Sequence, residues 1–165
     1  MKEYFKKILI VFLLIIVIFG VLTIYFLITN IATNKNSQNF KIASVSIDNH
    51  NFSAYIADTL LSQSKGLAAF DSITDNQGML FLFPEKEVTG FWMKDMKFPI
   101  DLIWISGNTI VGFEKDMVPQ PGEPDYDLKV YYPPEPIDKV LEINAGLIDK
   151  YNFQIGDLVD IKTIN

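Results

Sequence analysis

An uncharged apolar run near the N-terminus limits what this chain can fold into more than any other feature. The run extends from Ile8 to Ile28 and holds no charged side chain. As a helix it is roughly 31 Å long at about 1.5 Å per residue, which matches the hydrocarbon thickness of a bilayer. A cleavable signal is shorter and ends in a small-residue cleavage site, whereas 29–33 makes a poor one. The run therefore predicts a single uncleaved transmembrane helix.

The lysines around this run predict its orientation. Three lysines lie before it and a single one follows closely: Lys2, Lys6, Lys7 and Lys35. The positive-inside rule then places the N-terminus in the cytoplasm. We expect a single-pass protein of the cell membrane, with a cytoplasmic stub and anchor over 1–34 and a polar tether over 35–39. One domain, over 40–165, lies outside the cytoplasm.

The outward part of the chain is acidic, which excludes one class of partner. It carries 11 lysines (14 minus the three before the run) and 19 acidic residues (20 minus Glu3), a net charge of −8, and the chain contains no arginine. Nucleic-acid binding depends on a basic surface that neutralises phosphates. We therefore expect no nucleic-acid partner.

Short strands separated by turn signals predict the fold class of the domain. Apolar or alternating runs occur at 41–47, 52–57, 79–83, 88–93, 100–105, 109–114, 140–143 and 158–162. Two short helices are expected, one capped by Asp58 or Thr59 and ending at Lys65, and one over 145–151. The pattern favours a β-dominated α+β class, with a compact antiparallel barrel-like or sandwich-like sheet. Lys115 to Asp127, rich in prolines and acids, predicts a long exposed loop.

The segment from Phe91 to Ile105 contains both tryptophans of the protein and two of its aspartates. Trp92 and Met93 either form a platform for a ligand such as a sugar ring or fill the core. Because successive strand residues face opposite sides, at most one of the two points into the core. Asp101 lies in an apolar run, so its carboxylate either accepts backbone N–H bonds that tie down the loop from Trp92 to Pro99 or lines a cleft.

Ordered motifs run through the whole domain. They are Lys65-Gly66-Leu67, Gly78-Met79-Leu80-Phe81, Phe91-Trp92-Met93-Lys94, Pro99-Ile100-Asp101, Tyr132-Pro133, Val140-Leu141-Glu142, Ala145-Gly146 and Gly156-Asp157. Together they resemble the bacterial and archaeal family DUF192, also called UPF0127, over about 41 to 162. The resemblance implies a compact, β-rich and frequently exported domain whose biochemical role is not established.

The candidate ligand-binding residues combine the aromatic segment with its expected neighbours: Trp92, Met93, Asp95, Asp101, Lys65, Tyr132 and Glu142. If Asp95, Asp101 and Glu142 converge, a carboxylate pair could act as acid and base on a glycoside. A Cys- or His-based nucleophile is poorly supported, because cysteine is absent and the single histidine, His50, lies in a predicted turn. Catalytic residues are therefore not assigned.

Two functions follow from these residues. The first is a membrane-anchored, extracytoplasmic module that binds an envelope glycan or a membrane-protein partner without catalysis. The alternative is a carboxylate-dependent hydrolase acting on cell-envelope saccharide. No cofactor and no metal are expected, because Met93 and Met96 lack a histidine or cysteine partner and the acidic loop matches no EF-hand spacing.

Overall fold

The computed structural model describes Tyr4, Lys6, residues 18–25 and residues 40–164. The residues described before position 39 are helical. The predicted tether at 35–39 and most of the predicted anchor lie outside the described residues. Within the part of the chain that is described, no helix is both long enough and apolar enough to cross a membrane.

The unit Phe40–Asn165 is built on one curled sheet. Its strands are β1 (Ile42–Ile47), β2 (His50–Ala57), β3 (Gln77–Glu87), β4 (Phe91–Trp92), β5 (Ile100–Ser106), β6 (Thr109–Met117), β7 (Val130–Tyr131), β8 (Ile137–Asn144) and β9 (Val159–Ile164). Seven strands form the sheet in the order β6-β5-β8-β3-β2-β1-β9, and β4 pairs with β7. The predicted class, α+β dominated by β structure, is confirmed.

The sheet forms a half-barrel whose edge strands meet at one end. Strands β6 and β9 lie at opposite ends of the strand order, yet Thr109 and Leu158 form an isolated bridge. The N–H of Val159 also donates to the carbonyl of Asn108 at 2.8 Å. The two edges can bond only because the sheet curls, and this contact reduces the unpaired edge that an open sheet would expose.

One strand pair departs from the antiparallel arrangement predicted for the sheet. Strand β2 runs parallel to β3, with Ser53–Ala57 alongside Gln77–Phe81. Parallel neighbours need a crossover connection, because a tight hairpin reverses the chain direction. The crossover contains helix α1 (Leu60–Lys65) and a 3₁₀ helix (Gly66–Ala69). It places Leu67 against one face of the sheet, in the same apolar cluster as residues of β3.

Helix α1 begins and ends as the sequence predicts. The Thr59 hydroxyl accepts the N–H of Ser62 at 3.2 Å, and the Ser62 hydroxyl accepts the N–H of Thr59 at 3.0 Å. This reciprocal pair satisfies two N–H groups that a helix start leaves without partners. Gly66 ends the helix with a φ of 51°, which glycine adopts without side-chain strain.

Alternating strand residues build two apolar cores on the two faces of the sheet. In β8, Leu141 and Ile143 belong to one cluster, here called the first core, and Val140 belongs to the other, the second core. Helix α2 (Leu147–Tyr151), which starts two residues later than predicted, covers the first core. The 3₁₀ helix of the crossover and the segment around Phe91 cover the second core.

Two of the predicted boundaries are wrong. The strand predicted at 88–93 is only the two-residue β4, which pairs with a β7 that ends before Pro133. Proline has no N–H to continue the ladder. The exposed loop predicted from Lys115 starts only after Met117, because β6 continues to that residue and buries its side chain in the second core.

Gly78 lies where strand β8 passes close to β3. A Cβ built on Gly78 would lie 2.6 Å from the carbonyl oxygen of Glu142 and 3.2 Å from Cγ2 of Ile143. We expect Gly78→Ala to lower the free energy of unfolding by about 2 kcal/mol, because the backbone of β8 must shift to admit the methyl group. Urea denaturation measures the change. Gly107→Asn is the control, since nothing lies within 4 Å of a Cβ there and asparagine tolerates positive φ.

Candidate functional site

A pocket of about 360 Å³ lies over the second core. The crossover, strand β3 and the segment around Trp92 form its wall. Its charged side chains are Lys65, Glu87, Lys94 and Glu142. Its aromatic side chains are Phe81, Phe83, Phe91 and Trp92. The pocket therefore combines a small number of charges with a broad apolar surface, as ligand sites commonly do.

Glu142 is the buried carboxyl of this pocket. It lies on β8 between Met79 of β3 and Leu102 of β5, and it is only 5% exposed. Burial raises the pKa of Glu142 from 4.5 to about 8, and a hydrogen bond from the backbone N–H of Leu67 offsets this only in part. The carboxyl is therefore protonated at neutral pH. Its Oε2 has no hydrogen-bond partner among the described residues, which is rare for a buried polar atom.

Three consecutive residues of the crossover line the same pocket as this carboxyl. The backbone N–H of Leu67 lowers the pKa of Glu142 in part. A Cβ built on Gly66 would lie 3.6 Å from Oε2 of Glu142 and 3.3 Å from Cζ of Phe81, so glycine leaves space beside the carboxyl. Lys65 lines the same pocket and takes part in none of the ion pairs found within residues 40–164.

Trp92 and Met93 face opposite sides of their segment. Met93 is 1% exposed and packs in the second core, whereas Trp92 is 46% exposed and lines the pocket. The prediction that only one of the two points into the core is confirmed. Lys94 lies with its Nζ 5.7 Å from the centre of the Trp92 ring, and its hydrogen bond to Asp125 raises the pKa of Lys94. The indole of Trp92 is thus an exposed aromatic surface of the pocket.

Asp101 lies on the other face of the sheet. It is 1% exposed, and its Oδ1 and Oδ2 accept the backbone N–H groups of Asp116 and Ile148, both at 2.9 Å. The prediction that its carboxylate accepts backbone N–H bonds is confirmed. The prediction that it ties down the loop from Trp92 to Pro99 is wrong. Pairing with Ile143 directs Asp101 to the first core, where the end of β6 and helix α2 supply its partners.

The remaining candidates lie outside the pocket. Asp95 is exposed and lines a separate cleft of about 290 Å³ with Asp125. Tyr132 is 58% exposed and packs against Gly90. The convergence of Asp95, Asp101 and Glu142 on which a carboxylate pair would depend is therefore not found. The pocket brings together three predicted residues, Lys65, Trp92 and Glu142, and it leaves out Met93, Asp95, Asp101 and Tyr132.

Glu87 and Phe81 are pocket residues that sequence reasoning missed. Alternation along β3 could have assigned Phe81 to this wall. Nothing in the sequence marks Glu87, because its position depends on the irregular register that follows Leu82. Glu87 pairs with Ile137, which is five residues before Glu142 on β8, or roughly 16 Å at about 3.3 Å per residue. The backbones of the two glutamates therefore reach the pocket from well-separated positions along β8.

Fold and site together define a β-dominated half-barrel domain with a pocket over a buried, protonated carboxyl. The chain belongs to the family DUF192, described as "Uncharacterized ACR", whose model matches residues 43–161. The predicted family is confirmed.

Two solved structures share this fold. A protein of unknown function from Novosphingobium aromaticivorans is 28% identical, with a TM-score of 0.68 over 75% of this chain and 88% of that chain. A proposed transcription regulator from Sinorhizobium meliloti is 24% identical, with a TM-score of 0.63 over 73% of this chain and 92% of that chain. No curated protein matches the chain. The function must therefore be argued from the site.

Proposed function

We propose that this chain is a membrane-anchored module of the cell envelope that binds a ligand or partner in the Glu142 pocket without catalysing a reaction. The observation that carries the proposal is the pocket itself, which brings together the half-exposed indole of Trp92 and the carboxyl of Glu142, a residue that is 5% exposed. Ligand sites commonly combine an apolar surface with a small number of polar groups of this kind.

An envelope saccharide fits the surface around this carboxyl. Its hydroxyl groups both donate and accept hydrogen bonds, so one of them can pair with the protonated carboxyl of Glu142. The apolar face of a sugar ring can stack on the half-exposed indole of Trp92. A membrane-protein partner is the second kind of binder, favoured by Leu60 and Leu61, which are 88% and 64% exposed on helix α1.

The membrane anchor and the location outside the cytoplasm belong to the same proposal. Their support is the length of the apolar run from Ile8 to Ile28 and the excess of lysines before it. Sequencing the N-terminus of the protein from membrane and medium fractions tests this. Mature protein that begins near residue 33 and accumulates in the medium would contradict the anchor.

Nucleic acid is not the proposed partner. The outward part of the chain has 11 lysines against 19 acidic residues, so it would repel phosphates. The transcription role proposed for the Sinorhizobium meliloti protein is not carried over, because at 24% identity the likeness concerns the fold.

A carboxylate-dependent hydrolase acting on cell-envelope saccharide is the alternative. A buried, protonated Glu142 would suit a general acid, and Glu87 is a second carboxyl in the pocket. The two carboxyls of glycosidases lie roughly 5 to 9.5 Å apart. The backbone positions of Glu142 and Glu87 are separated by roughly 16 Å along β8, so their side chains would have to extend toward each other to act as such a pair.

Titration of the full chain in detergent with envelope glycan fragments tests the binding module. We expect a saturable shift of the Trp92 indole N–H signal in NMR spectra, while the signal of Trp104, which is 0% exposed, stays in place. Trp92→Ala, followed by calorimetry because it lacks this signal, should weaken binding up to about tenfold, since an aromatic contact contributes about 0.5 to 1.5 kcal/mol. Tyr126→Ala is the matched control, since it removes an 86% exposed ring that does not line the pocket.

The same titration separates the two functions. If both indole signals stay in place with every glycan while the domain remains folded, the binding proposal fails. If the glycan is cleaved, and Glu142→Gln and Glu87→Gln each abolish cleavage, the protein is a hydrolase.

A further inference from the structure

We propose that helix α1 docks the domain on the surface of the lipid bilayer, with Leu60 and Leu61 inserted among the lipids. The inference rests on the membrane anchor of the proposed function. It adds a second contact with the membrane, made by the folded domain itself. Because Leu60 also lines the Glu142 pocket, this contact brings the pocket to the membrane surface.

Helix α1 turns a polar side chain toward the domain and its apolar side chains outward. Gln63 is partly buried, and its Nε2 donates to the carbonyl of Leu82 at 2.9 Å. Leu60 and Leu61, the two apolar residues of the helix, are 88% and 64% exposed. A surface helix normally has the reverse arrangement, because it is stabilised by burying its apolar side. No residue of helix α1 is buried, so these leucines add little to the stability of the fold.

The exposed leucines lie beside the point where the chain enters the domain. Lys41 is the second residue of the domain, and its Nζ lies 2.8 Å from Oδ2 of Asp58. The carbonyl of Lys41 accepts the N–H of Ile56, also at 2.8 Å. Asp58 precedes Leu60 by two residues. The N-terminal end of the domain is therefore adjacent to the start of helix α1.

The chain between this end and the predicted transmembrane helix is short. The apolar run ends at Ile28 and the domain begins at Phe40, which leaves the eleven residues 29–39 between them. Eleven residues reach at most roughly 40 Å. The tether thus keeps the leucines close to the membrane and raises the effective concentration at which they meet it. A weak apolar contact is then sufficient for docking, because the anchor has already paid most of the entropic cost of association.

A second exposed apolar pair lies away from this end. Ile155 and Leu158 are 68% and 64% exposed. Leu158 adjoins Val159, which pairs with Ile47 at the far end of strand β1. Five residues separate Ile47 from Ile42, or roughly 17 Å at about 3.4 Å per residue. Of the two pairs, the one on helix α1 therefore adjoins the point where the chain enters the domain.

The bilayer fits these leucines better than a protein partner does. A standard protein interface buries about 800 Å² on each partner. Two leucines on a helix of six residues supply a small part of that area, whereas a lipid surface accepts a small apolar group of any shape. The charges nearby are balanced, because Lys41 is paired with Asp58 and the pocket side chains Lys65 and Glu87 have opposite signs. We therefore expect an apolar contact that does not depend on salt.

A dye attached to helix α1 tests the inference. The chain contains no cysteine, so Ser64→Cys gives a single labelling position on an exposed part of the helix. The labelled full chain is reconstituted in phosphatidylcholine vesicles that contain nitroxide-bearing lipid, which quenches a dye close to the bilayer. We expect quenching roughly threefold stronger than for Asn49→Cys, an exposed position in the turn at the other end of the β1–β2 hairpin. High salt should leave this difference unchanged, because it screens charges and not apolar contacts.

Removing the two leucines should abolish the difference. In Leu60→Ser with Leu61→Ser, quenching should fall to the level seen with Asn49→Cys, because each leucine transferred into lipid favours the docked state about tenfold. Ile155→Ser with Leu158→Ser is the matched control, since it makes the same change in two exposed side chains away from helix α1, and it should keep the quenching. Urea denaturation checks that both double variants fold, as expected because none of the four side chains is buried.

Each outcome of this experiment bears on the inference. Equal quenching at the two labelled positions overturns it but leaves the anchor of the proposed function standing. Quenching that survives the loss of both leucines also overturns it, because the contact would then be made by other residues. A dye on Ser64→Cys that escapes quenching in lipid vesicles, but is shielded from an aqueous quencher in native membranes, assigns the leucines to a protein partner and rejects the bilayer. If the full chain leaves the vesicles in an alkaline wash, the anchor fails and the inference falls with it.

Discussion

Replacing Asp101 with asparagine is expected to lower the free energy of unfolding by roughly 4 kcal/mol. The carboxylate is 1% exposed and accepts the N–H groups of Asp116 and Ile148 at 2.9 Å each. Asparagine keeps the size of the side chain but turns one acceptor into an NH₂ donor. One buried N–H then faces another donor, which forfeits a bond worth about 1.5 to 3 kcal/mol and adds about 1 to 3 kcal/mol for the unpaired group.

Urea denaturation of the full chain, with Asp95→Asn as the matched control, measures this effect. The control makes the same chemical change at an exposed residue with a φ of 57°, a conformation that asparagine tolerates. We expect the control to change the free energy of unfolding by less than about 0.5 kcal/mol. Equal losses in the two variants would contradict the view that Asp101 holds β6 and helix α2 together.

Raising the pH is expected to destabilise the domain through Glu142. Its pKa is about 8 in the folded protein against an ordinary 4.5, so between these values the folded state keeps a proton that the unfolded state has released. The free energy of unfolding therefore falls as the pH rises through this window. One pKa unit corresponds to about 1.36 kcal/mol. The full loss, reached above pH 8, is roughly 4 to 5 kcal/mol for a shift from 4.5 to about 8.

The variant Glu142→Gln isolates this contribution. Glutamine resembles the protonated carboxyl and does not ionise, so the variant should lack this fall and exceed the wild type in stability at pH 9. Denaturation series from pH 4 to pH 9 provide the comparison. Glu135→Gln, at an exposed residue, should follow the wild-type profile. Parallel profiles for the wild type and Glu142→Gln would show that the carboxyl is not buried in the neutral form.

Local chemistry made part of the fold predictable. Helix α1 begins after Thr59 and ends at Gly66. The hydrogen bonds and backbone conformation that set these limits involve only near neighbours in the sequence. Alternation along one strand likewise predicted that Trp92 and Met93 would face opposite sides. The parallel pairing of β2 with β3 was not predictable in this way. The composition of a strand does not indicate which neighbour it pairs with. The two strands of this pair are also separated in the sequence by the whole crossover, so no local pattern links them.

The site depended on register more than on composition. Glu142 and Asp101 are both acids in apolar runs of the sequence, yet the pairing of β5 with β8 sends them to opposite faces. Shifting β5 by one residue against β8 would instead bring Asp101 to the face that holds Glu142. Lys65 and Glu142 are far apart in the sequence, and only the crossover brings them to one pocket. The residues of the site could therefore be named from the sequence, but their grouping could not.

The pairing of β1 with β9 sets Ile42 opposite Ile164, so the first and last strand residues of the domain lie one strand spacing apart, about 4.8 Å. The N-terminal and C-terminal ends of the domain are therefore adjacent. A short linker between these ends, with new termini opened in the exposed loop after Met117, would leave every strand pair intact. We therefore expect a chain that is circularly permuted in this way to form the same fold. The pocket, built on β3, β8 and the crossover, lies on strands other than the two that carry this junction.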